Sequence, residues 1–122
     1  MTSIANLFVG IVIVLHIGFL ILEMFCWDTP LGLKVFGPQP GGAAHSKKLA
    51  ANLGLYNGFL AAGLLWGLIL ELNQEAAATS IKVFFLVCVI VAGVFGGLTT
   101  NRKILLAQAL PGAVALALTL WR

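Results

Sequence analysis

Apolar residues run along this chain in four long stretches, separated by shorter segments that are polar or rich in glycine and proline. Each stretch is close to the roughly 20 residues that an α-helix needs to cross a bilayer. The stretches cover residues 3–26, 49–70, 81–98 and 104–121. The pattern therefore predicts an all-α fold, a four-transmembrane-helix bundle in which residues 1–122 form a single membrane domain.

The connections between the predicted helices are short, and the longest joins helices 1 and 2. It contains Pro30, Pro38 and Pro40 together with four glycines, which interrupt any long helix. Apolar residues lie between these breakers, at Leu31, Leu33, Val35 and Phe36. This composition is compatible with a solvated connector. It is equally compatible with a lid that lies in the membrane interface or folds back over the bundle.

The composition agrees with a membrane protein. Of the 122 residues, 61% are hydrophobic and 9% are charged, whereas a soluble domain carries about 25% charged residues. The mean hydropathy is +1.07. The net charge of +3 is small and dispersed, unlike the clustered basic face of a nucleic-acid-binding protein. We therefore expect no nucleic acid as a partner. Cys26 and Cys88 show neither metal-ligand nor disulfide spacing, and we expect no metal and no cofactor.

The basic residues at the ends of the stretches predict the orientation. The first and third loops contain five of them, at Lys34, Lys47, Lys48, Arg102 and Lys103. The opposite side contains two, Lys82 at the edge of the third stretch and Arg122. Because cytoplasmic loops carry an excess of lysine and arginine, the charges predict the orientation of a multi-pass membrane protein. Loops 1 and 3 would be cytoplasmic, and both termini would lie outside.

Two ionisable residues, His16 and Glu23, interrupt the first apolar stretch. Such residues are costly inside a membrane and are functional candidates for that reason. Their spacing places them on one helix face, separated by roughly 10 Å of rise. Trp27 continues the same stripe. Glu23 and His16 are candidate catalytic residues, although spacing alone does not make them a dyad. Trp27 is either an interface anchor or a pocket wall.

Other polar residues share the depth of Glu23. Asn52 and Tyr56 lie near the cytoplasmic start of helix 2, and Gln108 lies at the start of helix 4. Asn57 points elsewhere, roughly 140° from Asn52. A common depth predicts a cavity that opens toward the cytoplasmic leaflet. The predicted ligand-binding residues are Glu23, His16, Trp27, Asn52, Tyr56 and Gln108.

The alternative for these polar groups is hydrogen bonding between helices, which contributes only about 0.6–2 kcal/mol for each bond. Gln108 has a further role open to it. Pro111 predicts a kink near the start of helix 4, and Gln108 could then partner the carbonyl groups that the kink frees.

Small residues recur four positions apart, a spacing that lets membrane helices approach closely. They form three pairs, Gly54 with Gly58, Gly63 with Gly67, and Gly93 with Gly97. We therefore expect close helix contacts along the second and third helices.

Four strings of residues together are similar to one known family. They are His16–Trp27, Val35–Gly37, Asn52–Ala61 and Gln108–Pro111. With them the chain resembles, over nearly its whole length, the bacterial domain-of-unknown-function family 1304. The resemblance implies a small four-helix inner-membrane protein and no established activity. Gly112 stands where alanine is expected after Pro111, which changes little beyond local packing.

Three functions remain open. The first is a protein that binds or transforms a lipophilic small molecule, with Glu23 as acid–base group or polar anchor; whether it is an enzyme is uncertain. The second is a small proton-coupled transporter. The third is a non-catalytic accessory subunit of a membrane complex. The expected partners are the lipid bilayer, a lipid-like or hydrophobic ligand, and either a homo-oligomer or a membrane-complex partner.

Overall fold

A computed structural model describes residues 2–121 of the chain. Within this range the secondary structure is entirely helical, which confirms the all-α prediction. It consists of five α-helices and one π-helical segment, with no strand in the described part. In chain order they are α1 (Thr2–Phe25), α2 (Pro30–Phe36), α3 (Ala43–Leu72), α4 (Ala78–Thr99), the π-helical segment (Leu105–Ala109) and α5 (Leu110–Leu120).

Three helices, α1, α3 and α4, are long and apolar enough to cross a membrane, which indicates a membrane protein. The helix α3 begins at Ala43 rather than at Leu49, because Gly42 is the last helix breaker before it. Its 30 residues extend about 45 Å, more than the roughly 30 Å of hydrocarbon. Lys47 and Lys48 therefore fit in its first turns, beyond the apolar part.

The predicted fourth span is divided into the π-helical segment and α5. Pro111 has no N–H group, and its ring displaces the carbonyl group one turn earlier. Just before it, the Leu110 N–H donates to the Leu105 carbonyl, the wider bonding pattern of a π-helix. The departure from α-geometry thus occurs where Pro111 predicts a kink. The apolar run Leu105–Leu120 is shorter than the three long helices, and the count of four spans stays a prediction.

The contacts divide the chain into two compact units. The core unit comprises the residues up to Leu15 and from Leu60 onward, and the loop unit comprises His16–Phe59. Both α1 and α3 contribute to each unit. A single domain over residues 1–122 stays a prediction. Met1 and Arg122 lie outside the described residues. Arg122 is one of the two basic residues that the predicted orientation places on the outer side.

Apolar side chains from α1, α3, α4 and α5 form the buried cluster of the core unit, consisting of Val9, Val12, Ile13, Ala61, Leu64, Leu86, Val89 and Ala115. Glycines allow the close packing. A Cβ atom at Gly93 would lie 2.6 Å from the Ala109 nitrogen, and one at Gly97 would overlap Leu105. At Gly112 a Cβ atom would lie 2.9 Å from Val89 Cγ1, so local packing does depend on that residue.

In the loop unit, α1 packs against α3 through the first glycine pair. A Cβ atom at Gly54 would lie 2.7 Å from Met24 Cγ and 3.1 Å from the Leu20 carbonyl oxygen. A Cβ atom at Gly58 would lie 2.6 Å from Leu20 Cδ1. The helices approach here more closely than any larger residue would permit, as the pattern of small residues predicts.

Candidate functional site

Glu23 lies in the last turns of α1 and is only 9% exposed. The Asn57 Nδ2 group on α3 donates a hydrogen bond of 2.6 Å to Glu23 Oε1. Gly54 makes this approach possible, because its hydrogen atom takes the place of a Cβ atom that would lie 3.1 Å from Glu23 Cβ. We refer to these two residues as the Glu23–Asn57 pair.

The partner of Glu23 is a neutral amide. Among the described residues the ion pairs are Lys47–Asp28 and Lys82–Glu71, and neither includes Glu23. A buried carboxylate without a cation is costly. Asn57 occupies one carboxyl oxygen, and a carboxyl group has further capacity for hydrogen bonds. The carboxyl group of the Glu23–Asn57 pair therefore keeps capacity for a further hydrogen bond.

His16 belongs to the same unit and is fully buried, at 0% exposure. Phe19 lies edge-on to its ring, with centroids 5.4 Å apart and an interplanar angle of 71°. The imidazole is thus placed in an aromatic environment. A catalytic role for His16 together with Glu23 stays a prediction.

Trp27 lies beyond the end of α1 and is fixed on both sides. Its indole Nε1 donates to Ser46 Oγ at 3.1 Å, and its ring lies 4.8 Å from that of Phe36. It lines an open cleft of about 490 Å³ between the end of α1, α2 and the start of α3. The geometry is therefore compatible with a pocket wall as well as with an anchor.

Next to Trp27, Asp28 forms an ion pair with Lys47 at 3.0 Å. The hydrogen bond from Lys47 holds the pKa of the Asp28 carboxyl below its ordinary value. Since Ser46 and Lys47 are neighbours on α3, these two contacts tie the loop to its first turns.

Asn52 and Tyr56 are exposed on α3. The Tyr56 ring lies 6.2 Å from that of Phe59. The α3 residue that hydrogen-bonds to Glu23 is Asn57, which sequence reasoning set aside. A signal for it was present, because Asn57 lies three residues after Gly54, a small residue that meets α1, and residues at that spacing are neighbours on a helix surface.

Gln108 is half-buried in the π-helical segment. It belongs to the core unit, whereas the other five predicted site residues belong to the loop unit. The set of six as one ligand site stays a prediction.

The core unit contains a second polar cluster, which sequence reasoning missed. Lys82 on α4 is fully buried, at 0% exposure. Its Nζ donates to Glu71 Oε2 at 2.8 Å and to Asn6 Oδ1 at 3.1 Å. Gly67 leaves room for the lysine stem, since a Cβ atom there would lie 2.5 Å from Lys82 Cγ. We refer to these residues as the Lys82 cluster.

The signal for the Lys82 cluster was a lysine and a glutamate facing each other across the short turn between α3 and α4. Sequence reasoning counted Lys82 only as a charge at the edge of a span. As for metals, the described residues contain no group of three or more His, Cys, Asp and Glu side chains that could hold an ion.

Together these observations define a helical membrane protein with polar groups held between apolar helices. The family described as "Protein of unknown function (DUF1304)" matches residues 10–120, and the chain belongs to that family. This confirms the resemblance seen in its strings of residues. The chain is also similar to "Uncharacterized protein YpaA" of Lactococcus lactis subsp. lactis (strain IL1403), with 30% identity over 99 residues, 80% of this chain and 78% of the relative. No solved structure matches significantly.

Proposed function

We propose that this chain is a four-span membrane protein that binds the polar group of a lipophilic small molecule at the Glu23–Asn57 pair. The observation that supports the proposal is a buried carboxyl group in a membrane-length helix with a neutral amide as its partner. Ionisable residues inside membrane segments are rare, and they are candidates for binding sites and proton paths for that reason.

The chemistry of the pair suggests the class of ligand. Asn57 donates to Glu23 Oε1, and the carboxyl group can bond a hydroxyl, amine or carbonyl group of a ligand. Such a bond is stronger in an apolar surrounding than in water. His16 and Trp27 belong to the same unit and are proposed as further contacts. An enzymatic role for Glu23 and His16 stays a prediction, as does the contribution of Gln108.

The experiment is to purify the protein in polymer-bounded native membrane discs and to identify its bound small molecules by mass spectrometry. We expect a compound enriched over empty discs, and Glu23→Gln or Asn57→Leu to lower its amount by at least about tenfold. The control is Glu75→Gln, because Glu75 lies between α3 and α4 and is exposed. Equal amounts in wild type and Glu23→Gln would refute the proposal.

The proposed orientation in the inner membrane has four spans, with the apolar run Leu105–Leu120 as the fourth. Loops 1 and 3 would be cytoplasmic, and both termini would lie outside. Reporters fused separately to the two termini test this directly. Reporters that read outside at both ends support it, while a cytoplasmic reading at the C-terminus alone would indicate three spans.

A second candidate function is association with another membrane protein or with a second copy of the chain. It is favoured by Asn52 and Tyr56, which are exposed on the membrane-length helix α3. A side-chain amide both donates and accepts hydrogen bonds, so asparagine joins membrane helices. Photobleaching of single labelled discs tests it. Loss of oligomers in Asn52→Leu would support association, and monomers throughout would exclude self-association.

A further inference from the structure

The short helix α2 of the loop unit is capped at both ends. Thr29 Oγ1 accepts a hydrogen bond from the Gly32 N–H and caps the first turn, with Pro30 at the start of the helix. At the other end, Gly37 has φ of 77° and donates its N–H to the Leu33 carbonyl. Gly32 has no space for a side chain, since its Cβ atom would overlap the Cys26 carbonyl.

Apart from Lys34, the exposed side chains of α2 are mainly apolar. Leu31, Leu33 and Val35 are each between 45% and 58% exposed. The helix lies between the end of α1 and the start of α3, two helices of membrane length. An exposed apolar helix at that position suits the boundary between headgroups and acyl chains, where amphipathic helices are stable.

The charges around α2 are mainly positive. Residues 26–48 contain three lysines, one aspartate and no glutamate, which gives a net charge of +2 with His45 neutral. Asp28 is engaged by Lys47. Lys34 and Lys48, which are both exposed, carry the excess charge. Basic residues beside a membrane helix attract anionic lipid headgroups.

Two contacts with α3 are made by residues that line the cleft beside α2. These are the hydrogen bond from Trp27 to Ser46 and the ion pair of Asp28 with Lys47. Apolar and aromatic groups dominate its lining, among them Trp27, Pro30 and Phe36. An apolar cleft in a segment that also carries exposed lysines matches a molecule with an anionic head and an apolar body.

We propose that α2 and its flanking segments form a docking surface for an anionic phospholipid. Lys34 and Lys48 bind the headgroup phosphate, Leu31 and Val35 enter the acyl region, and the Trp27 cleft receives the part of the lipid next to its headgroup. This surface shares Trp27 with the contacts proposed for the other ligand, but it does not include the Glu23–Asn57 pair and does not depend on that ligand.

The test titrates the detergent-purified full chain with phosphatidylglycerol or phosphatidylethanolamine and counts bound lipids by native mass spectrometry. We expect phosphatidylglycerol to bind about tenfold more tightly. Lys34→Gln combined with Lys48→Gln should remove that preference, and Lys34→Arg with Lys48→Arg should keep it. The matched control is Arg102→Gln with Lys103→Gln, which removes two charges from the loop after α4.

A fluorescence experiment locates the lipid. In a Trp66→Phe, Trp121→Phe background, brominated phosphatidylglycerol should quench Trp27, and inorganic phosphate at the same concentration should leave the lipid bound. Equal affinity for the two lipids, equal loss in the loop control, or displacement by inorganic phosphate would each overturn the proposal. Loss of the compound bound at Glu23 would leave these results unchanged.

Discussion

The two polar clusters differ in the group that donates a hydrogen bond to the carboxyl group. In the core unit, Glu71 accepts a hydrogen bond from the ammonium group of Lys82. In the loop unit, Glu23 accepts one from the amide of Asn57. Both carboxyl groups lie on membrane-length helices, and a glycine on α3 makes room for one member of each pair, Glu23 at Gly54 and Lys82 at Gly67. Only the first of the two pairs is compensated in charge.

This difference indicates a division of roles. Lys82 bonds to residues on two other helices, Asn6 on α1 and Glu71 on α3, and thus ties three helices together. A compensated cluster of this kind has little left to offer a ligand. The Glu23–Asn57 pair joins two helices and keeps hydrogen-bonding capacity. This contrast supports a structural role for the Lys82 cluster and the binding role that we propose for the Glu23–Asn57 pair.

The largest effect is expected for Lys82→Met. The change removes the buried ammonium group from Glu71 and Asn6, and breaking a buried ion pair costs about 3–5 kcal/mol. Because Glu71 is partly exposed, we expect the lower end of that range. Unfolding in mixed detergent micelles measures it.

Adding Glu71→Gln to Lys82→Met is the control, since it removes the carboxyl group that has lost its partner. The double variant should recover part of the lost free energy, as in a double-mutant cycle. A free energy of unfolding for Lys82→Met equal to that of wild type would show that the cluster is not structural.

Gly67→Ala should have the next largest effect. The new Cβ atom would lie 2.5 Å from Lys82 Cγ, and overpacking of this kind typically costs about 1–3 kcal/mol. Gly10→Ala is the matched change in the same unit, because a Cβ atom there meets nothing within 4 Å. Thermal unfolding of both variants is the measurement. Equal melting temperatures would refute the close contact at Gly67.

A smaller effect on stability is expected for Glu23→Gln. The amide oxygen of glutamine can accept the same hydrogen bond from Asn57, so the free energy of unfolding should fall by no more than about 1 kcal/mol. The measurement compares the free energies of unfolding of Glu23→Gln and Lys82→Met. A loss as large as that of Lys82→Met would make Glu23 a structural residue.

The smallest effect is expected for Asp28→Asn in the exposed loop pair. The pKa of Asp28 is held below its ordinary value by the hydrogen bond from Lys47. The contribution of the pair is therefore complete above the ordinary carboxyl pKa and is lost as the pH falls through the lowered pKa. Melting curves of wild type and Asp28→Asn should differ slightly at pH 7 and converge in acid. A difference in melting temperature that grows in acid would contradict the predicted direction of the pH dependence.

Much of the fold could be predicted, because the length of an apolar run directly reflects the thickness of a bilayer. The start of α3 at Ala43 was not predicted, because a helix can continue past the membrane into charged residues such as Lys47. The π-helical segment was not predicted either. Pro111 indicates a disturbance, but the bonding that absorbs it depends on the packing of Gly93 against Ala109.

The candidate site was predictable to a lesser degree. Glu23 stands out because a carboxyl group is rare in an apolar run. Its partner was not identified, since Asn52 and Asn57 differ only in the helix face they occupy, and the face follows from which helix α3 packs against. Lys82 was missed for a related reason, because its pairing with Glu71 depends on the geometry of the turn between α3 and α4.

The most direct test of this division of roles makes the same carboxyl-to-amide change in each cluster. Glu23→Gln and Glu71→Gln are purified in native membrane discs, and both the bound small molecules and the melting temperature are measured. We predict that Glu71→Gln keeps the bound compound and lowers the melting temperature, whereas Glu23→Gln loses the compound and lowers the melting temperature less than Glu71→Gln does. The reverse pattern, or equal effects of the two changes, would contradict the assignment.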